Sequence, residues 1–182
     1  MTRALPPELT RVLLAEELIQ QRIRELAETI SRDYQNEELI LLCVLKGSLM
    51  FTSDLMRHLD LRVMVDFIGI SSYGESTRSS GVVRIVKDME ENISGRHVLV
   101  IEDIVDTGLT LNYLRGVLKL RNPASVKIAT LLSKPSRRKV DVPIDYLGFE
   151  IDDHFVVGYG LDYKSFYRNL PYIGILDPSR EG

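Results

Sequence analysis

Residues Val98–Leu111 read VLVIEDIVDTGLTL: four apolar residues, the acidic pair Glu102-Asp103, a further acid at Asp106, and then Thr107-Gly108-Leu109-Thr110. The apolar start is short and unbroken, as in a strand covered on both faces of a parallel sheet. Immediately beyond the acids begins a helix marked by Leu111, Leu114, Val117 and Leu118, which Asn122-Pro123 closes. Helix capping accounts for one acid or threonine and the turn accounts for Gly108, but capping does not require three carboxylates. Carboxylates at a strand end hold a divalent cation or accept hydrogen bonds from sugar hydroxyls. Threonine hydroxyls and the first N–H groups of a helix hold a phosphate. The order of groups along the chain therefore suits a sugar phosphate accompanied by magnesium.

Working outward, Ala15–Tyr34 carries Leu18, Ile19, Ile23, Leu26, Ala27 and Ile30 at helical spacing with polar residues between them. Leu39–Leu45, LILLCVL, predicts a central strand, and a helix is expected over Ser48–Leu59. Leu61, Val63, Val65 and Phe67 alternate as in a strand, the polar run SSYGESTRSSG over residues 71–81 reads as a mobile surface loop, and Val82–Lys87 resumes extended structure. Ser125–Ser133 and Ile144–Ile151 add strands, while the C-terminal quarter, rich in Gly, Tyr and Asp, reads as irregular. Strands alternating with helices predict an α/β fold built on a Rossmann-like parallel sheet flanked by helices.

Ligands of such sheets bind outside the carboxyl ends of the strands. Leu45-Lys46-Gly47-Ser48 and Ser133-Lys134-Pro135 are therefore the other strand ends of chemical interest. Glycine lets backbone N–H groups approach an anion and Lys46 adds a charge, although the same tetrapeptide serves in ordinary strand-to-helix turns. No G-x-x-x-x-G-K-[ST] occurs, which argues against a P-loop nucleoside triphosphatase.

Composition bounds the partners. A chain of 182 residues, 45% hydrophobic, buries a sizeable core in one domain. A net charge of -3 supplies no general attraction to nucleic acid or anionic membranes, and no stretch approaches the roughly 20 apolar residues of a membrane span. A cytoplasmic location is expected, with no nucleic-acid or membrane partner. The single cysteine, Cys43, leaves no disulfide framework or multi-cysteine zinc site and reads as a buried thiol. His58, His97 and His154 show no metal-ligand spacing and read as structural.

IEDIVDTGLT resembles the phosphoribosyl pyrophosphate motif of the type I phosphoribosyltransferases, and its E-D-I-V-D-T-G form resembles their hypoxanthine-guanine branch, of bacterial type. LKGSLMF is similar to that family's pyrophosphate loop, SSYG to its flexible catalytic loop, and SKPSRRKVDVPIDYLGFEIDDHFVVGYGLDY to its purine-binding region, so the similarity covers nearly the whole chain. It implies the type I phosphoribosyltransferase fold over residues 1–182 as a single domain, with a core over about 35–140 and a small hood from about 1–14 and 141–182. It also implies purine salvage: magnesium-dependent transfer of 5-phosphoribosyl from phosphoribosyl pyrophosphate to N9 of hypoxanthine or guanine, giving IMP or GMP and pyrophosphate. The implied assembly is a homodimer or homotetramer.

The resemblance distributes roles residue by residue. Glu102 and Asp103 match acids that bind ribose hydroxyls and magnesium. Asp106, Thr107, Gly108, Leu109 and Thr110 match the 5'-phosphate loop, and Asp106 also the proton acceptor near purine N7. Lys46, Gly47 and Arg168 match pyrophosphate ligands, with a cis peptide expected between Leu45 and Lys46. Lys134 matches the donor to the purine 6-oxo group, Phe155 the aromatic that stacks on the base, and Val156 a backbone contact. Asp162 matches an acid near the purine 2-position and a second magnesium, and Ser72 and Tyr73 match the flexible loop. Without the resemblance, Arg168 and Lys134 read as solvated cations and Phe155 as a core aromatic. Leu109 departs from several relatives that carry lysine there, removing one cation from the phosphate loop. Two rivals share the fold. An RNA-binding pyrimidine attenuator is disfavoured by Asp106, by the Lys134 to Asp162 set and by the lack of net basic charge. A xanthine-guanine transferase differs in purine preference.

Overall fold

The computed structural model describes residues 6–72 and 83–177. In chain order its elements are β1 (Leu9–Leu14), α1 (Glu16–Asp33), β2 (Leu39–Leu45), α2 (Leu49–His58), β3 (Val63–Ser72), β4 (Val83–Lys87), β5 (His97–Val105), α3 (Leu109–Lys119), β6 (Ser125–Ser133), a 3-10 turn (Pro135–Arg137), β7 (Tyr146–Glu150), β8 (Val156–Val157) and β9 (Ile173–Leu176). The central sheet runs β4-β3-β2-β5-β6-β7, parallel throughout except for the antiparallel edge strand β4.

The unbroken apolar runs are explained by burial on two faces. In β2, Leu39 and Leu41 join the core packed under α1 and α2, while Ile40, Leu42 and Val44 join the core under α3. In β5, Leu99 and Ile101 belong to the first core and Val98 and Val100 to the second. Successive side chains of a strand point to opposite faces, so every position must be apolar when both faces are covered. Cys43 is buried beside Ser48 Oγ, as expected of a structural thiol.

A second, antiparallel sheet of order β1-β9-β8 joins the N-terminal strand to the C-terminal segment, the two regions expected to make the hood. Three expectations need correction. β7 pairs in parallel with β6, so residues 146–150 belong to the central sheet and not to the hood. The C-terminal quarter is not wholly irregular, because β8 and β9 extend the hood sheet. Ser71 and Ser72, read as the start of the polar loop, continue β3 opposite Arg84 and Val83; from Tyr73 to Val82 that loop lies outside the described residues. Among the described residues, no helix is long and apolar enough to cross a membrane.

The sheet positions the site through one register detail. Pairing of β5 with β2 stops at Ile101 opposite Cys43, whereas pairing with β6 continues to Val105 opposite Ser133. Glu102–Val105 thus stand on a strand held from one side only. Chain order reverses between β2 and β5, the switch point at which open α/β sheets bind ligands.

Candidate active site

Three backbone segments meet at this switch point. The Leu45–Lys46 peptide is cis, as the resemblance implied, and Gly47 lies against Asp103 near the end of β5. A Cβ on Gly47 would lie 1.5 Å from Asp103 Oδ2, and one on Gly160 would lie 2.0 Å from the Gly47 carbonyl oxygen. Gly160 has φ of +97°, so glycine is required there both by conformation and by space. Arg168 closes the same corner: Nη1 donates to the Gly160 carbonyl at 2.6 Å and Nη2 pairs with Asp162 Oδ1 at 2.5 Å. Asp162 Oδ2 in turn accepts the Ser165 N–H at 2.8 Å. Arg168 is therefore a fixed cation and not a solvated one, whereas Lys46 is exposed.

The hood loop that carries Gly160 is tied to the helical layer by Tyr159. Its buried hydroxyl donates to Asp54 Oδ2 at 2.5 Å, and Gln20 Nε2 donates to the same oxygen at 2.6 Å. Burial first, and then Asp54, push the Tyr159 phenol far above its ordinary range, so it remains a donor. Tyr159→Phe is expected to cost about 2 kcal/mol, the worth of a hydrogen bond to a charged acceptor. Thermal unfolding should show this as a Tm lowered by roughly 4–8 °C.

Glu102 and Asp103 sit side by side. The Glu102 oxygen Oε2 is withdrawn from solvent and has no hydrogen-bond partner. Burial, and then the neighbouring charge of Asp103, raise the Glu102 carboxyl well above the ordinary carboxylate range. Burial raises Asp103 too, opposed by the Ile104 N–H, which donates to Oδ1 at 2.7 Å, and by the Arg168 cation. Two adjacent acids that resist ionisation call for a cation. Among the described residues no three His, Cys, Asp or Glu side chains come together as a metal cage. A hard cation such as magnesium needs only one or two carboxylates when substrate oxygens and water complete its shell. The donor pair fits that mode.

Beyond Val105 the chain turns through Asp106–Gly108 into α3. Gly108 is the N-cap residue with φ of +82°, and α3 has neither a side-chain cap nor an acid in its first turn. The capping explanation is thereby removed for Asp106, whereas Thr107 Oγ1 accepts the Leu109 N–H at 3.4 Å. The other N–H groups of the first turn are left to face an anion. A cavity of about 90 Å³ opens there, lined by Glu102, Asp106, Thr107, Gly108 and Thr110 among others. The turn is braced from the segment after β6, whose Lys139 and Val140 N–H groups both donate to the Thr107 carbonyl, at 3.0 and 3.2 Å. A Cβ on Gly108 would approach the Val140 carbonyl to 2.8 Å.

Asp106 also lines a second cavity of about 480 Å³ with Ile104, Lys134, Arg137, Asp153, Phe155, Val156 and Leu161. Only 8% of Lys134 is exposed, and its Nζ lies 3.4 Å from Asp153 Oδ1. Phe155 is 47% exposed at the mouth, edge-on to Tyr163, so it is an available stacking face and not a core aromatic. The Val156 side chain packs into the core beneath. Arg137 joins Asp106, from Nε to Oδ1 at 3.2 Å, to Asp153, from Nη1 to Oδ2 at 3.5 Å. Glu102, Asp106, Thr107, Gly108 and Thr110 thus line the smaller cavity and Asp106, Lys134, Phe155 and Val156 the larger, while Gly47 lies against Asp103 and Arg168 pairs with Asp162; Tyr73 lies outside the described residues. His97 is structural, bonded to Ser125 Oγ at 2.7 Å through Nδ1. Sequence reasoning missed Arg137, Asp153, Tyr159 and Gly160.

A parallel sheet with a carboxylate pair and an anion-binding turn at its switch point defines a protein that handles a phosphorylated sugar. Comparison with known proteins agrees: the family model for the phosphoribosyl transferase domain matches residues 11–164. The chain is 50% identical over 172 residues to the hypoxanthine-guanine phosphoribosyltransferase of Bacillus subtilis, covering 94% of this chain and 96% of that protein. It is 50% identical over 179 residues to the enzyme of that name from Mycobacterium tuberculosis, covering 95% and 89%. The crystal structure of a hypoxanthine phosphoribosyltransferase from Staphylococcus aureus superposes with a TM-score of 0.91 at 47% identity, over 96% of this chain and 95% of that one. The chain belongs to the phosphoribosyltransferase family, in its hypoxanthine-guanine branch, and is a transferase.

Proposed function

We propose that this enzyme transfers the 5-phosphoribosyl group of phosphoribosyl pyrophosphate to N9 of hypoxanthine or guanine, releasing IMP or GMP and pyrophosphate, with magnesium required. The observation that carries the reading is that a cation-seeking acid pair, a glycine-capped helix start and a cavity with a buried lysine adjoin, with Ile104 and Asp106 lining both cavities. The relatives named above support the choice of base.

Each residue has a task within its chemistry. Thr107, Gly108, Leu109, Thr110 and the α3 N-terminus hold the 5'-phosphate, with Leu109 supplying only its backbone. Glu102 and Asp103 take the ribose hydroxyls and would hold magnesium, which when bound shields the pyrophosphate charge. Lys46, Gly47 and Arg168 receive the departing pyrophosphate as negative charge grows on it. Lys134 donates to the 6-oxo group, which favours oxopurines over adenine, whose 6-amino group is itself a donor. Phe155 stacks on the base, Val156 presents backbone to it, and Asp162 lies toward the 2-position. Asp106 accepts the purine proton as N9 bonds to the anomeric carbon, where oxocarbenium-like charge develops.

The deciding assay supplies phosphoribosyl pyrophosphate, magnesium and one base at a time. Nucleotide formation with hypoxanthine and guanine, abolished by a chelator, is the expected result; binding without turnover on any purine would sink the reading. A homodimer or homotetramer in the cytoplasm is part of the same proposal. Leu18, Leu49, Met50 and Met56 support self-association, as exposed apolar side chains on α1 and α2. A monomeric mass by light scattering would count against it.

A further inference from the structure

Four charged side chains face the larger cavity, Lys134 and Arg137 against Asp106 and Asp153. They form one chain of ion pairs: Lys134 to Asp153 at 3.4 Å, Asp153 to Arg137 at 3.5 Å, and Arg137 to Asp106 at 3.2 Å. With both carboxylates ionised, the formal charge of the wall is zero. Other nearby charges do not line this cavity: Arg138 donates from Nη2 to Ser133 Oγ, and Glu102, beside Asp103, lines the smaller cavity. Asp162 and Arg168 pair with each other, and His154 lines a separate cavity with Arg11, Glu150 and Asp152.

We propose that this balance is a specificity device: Asp153 and Arg137 keep the purine cavity neutral, so that it accepts a neutral 6-oxopurine and disfavours one that arrives as an anion. The inference rests on the phosphoribosyl-transfer reading. Lys134 alone does not discriminate among oxopurines, because hypoxanthine, guanine and xanthine all present an acceptor at the 6-position. They differ in charge. Xanthine, with a second oxo group at the 2-position, loses a proton near neutral pH, whereas hypoxanthine and guanine remain neutral there.

An anionic base in a balanced cavity sheds its hydration yet finds its attraction to Lys134 and Arg137 offset by Asp106 and Asp153. Burial sets the relative weights. Lys134 is almost wholly enclosed, so its field is the least screened, and Asp153 is the carboxylate its ammonium meets. The Arg137 side chain is 50% exposed and counts for less. Removing Asp153 leaves the enclosed cation uncancelled and turns the cavity toward an anionic base. Removing Arg137 shifts it the other way.

The test measures kcat/KM for hypoxanthine and for xanthine across the neutral pH range in the unmodified protein, Asp153→Asn, Asp153→Glu and Arg137→Gln. Where xanthine turns over too slowly, its inhibition constant against hypoxanthine supplies the comparison. Taking the xanthine-to-hypoxanthine ratio cancels any loss common to both bases, including one caused by freeing Asp106 from Arg137. Asp153→Asn is expected to raise the ratio about tenfold, increasingly so as xanthine ionises and less so in high salt. Asp153→Glu should restore it, and Arg137→Gln should lower it about threefold. A merely structural role would not produce opposite signs. A ratio that Asp153→Asn leaves unchanged or lowers, or that rises without dependence on pH, overturns the proposal. Failure of the unmodified protein to form nucleotide from any base would instead overturn the transferase reading beneath it.

Discussion

Asp106→Asn is expected to slow nucleotide formation between about a hundredfold and ten-thousandfold in kcat, the usual worth of a positioned general base. KM for both substrates should stay within about threefold. The split follows from where Asp106 stands. It shares the lining of the small cavity at the start of α3 and of the larger one that holds Lys134 and Phe155, so it sits where sugar and base must join. Its Oδ1 accepts from Arg137 Nε, and an asparagine oxygen accepts the same bond at the same place. Shape and anchoring are retained while the capacity to take a proton is lost. Steady-state kinetics in both substrates, with calorimetric binding of the product nucleotide, checks this. Unchanged turnover would remove Asp106 from the proton-acceptor role.

The fold was legible because the sheet is covered on both faces. LILLCVL and VLVI admit no polar position when alternate residues feed two cores, and that unbroken pattern is visible in the chain itself. The placement of β7 was not, because Tyr146–Glu150 is short and mostly half-buried, and nothing local distinguishes a fifth parallel strand of the sheet from a hood strand. At the site, residues in or beside strand-end motifs stand out in the chain, and those brought together by long-range approach do not. Tyr159 and Asp54 lie 105 positions apart, so their bond leaves no local signal. Arg137 sits in the run Arg137-Arg138-Lys139, which reads as a solvated basic turn until folding brings it to Asp106 and Asp153. Gly160 is one of several glycines in the C-terminal region, and only the approach of the Gly47 carbonyl shows why a side chain is forbidden there.

Glu102→Gln is expected to move stability and activity in opposite directions. In the ligand-free protein the half-buried Glu102 holds its Oε2 away from solvent without a partner, and ionising it places a charge beside a second acid. A neutral amide of the same shape removes that repulsion, a gain on the order of 1 kcal/mol, or a Tm higher by about 2–4 °C for a chain of this size. The sign depends on pH in a defined way. A folded-state pKa raised above the ordinary 4.5 means that ionisation opposes folding. The penalty is absent in acid, sets in as pH rises past the unfolded value, and is complete above the raised one. The advantage of glutamine should therefore vanish at low pH and be full only above the raised folded value. Asp33, held low chiefly by the Tyr146 hydroxyl, and Asp88, held low chiefly by Arg121, bring stability that is lost as pH falls. Both proteins share those groups, so the difference in Tm reports the coupled Glu102–Asp103 pair. Activity should fall on the order of a hundredfold or more, because the charge that seeks a cation and strengthens the ribose contact is gone. Magnesium with phosphoribosyl pyrophosphate should raise Tm of the unmodified protein and do so much less in the variant. A variant with unaltered turnover and no neutral-pH gain in Tm would show that Glu102 is satisfied by its own surroundings and that the acid pair does not await a cation.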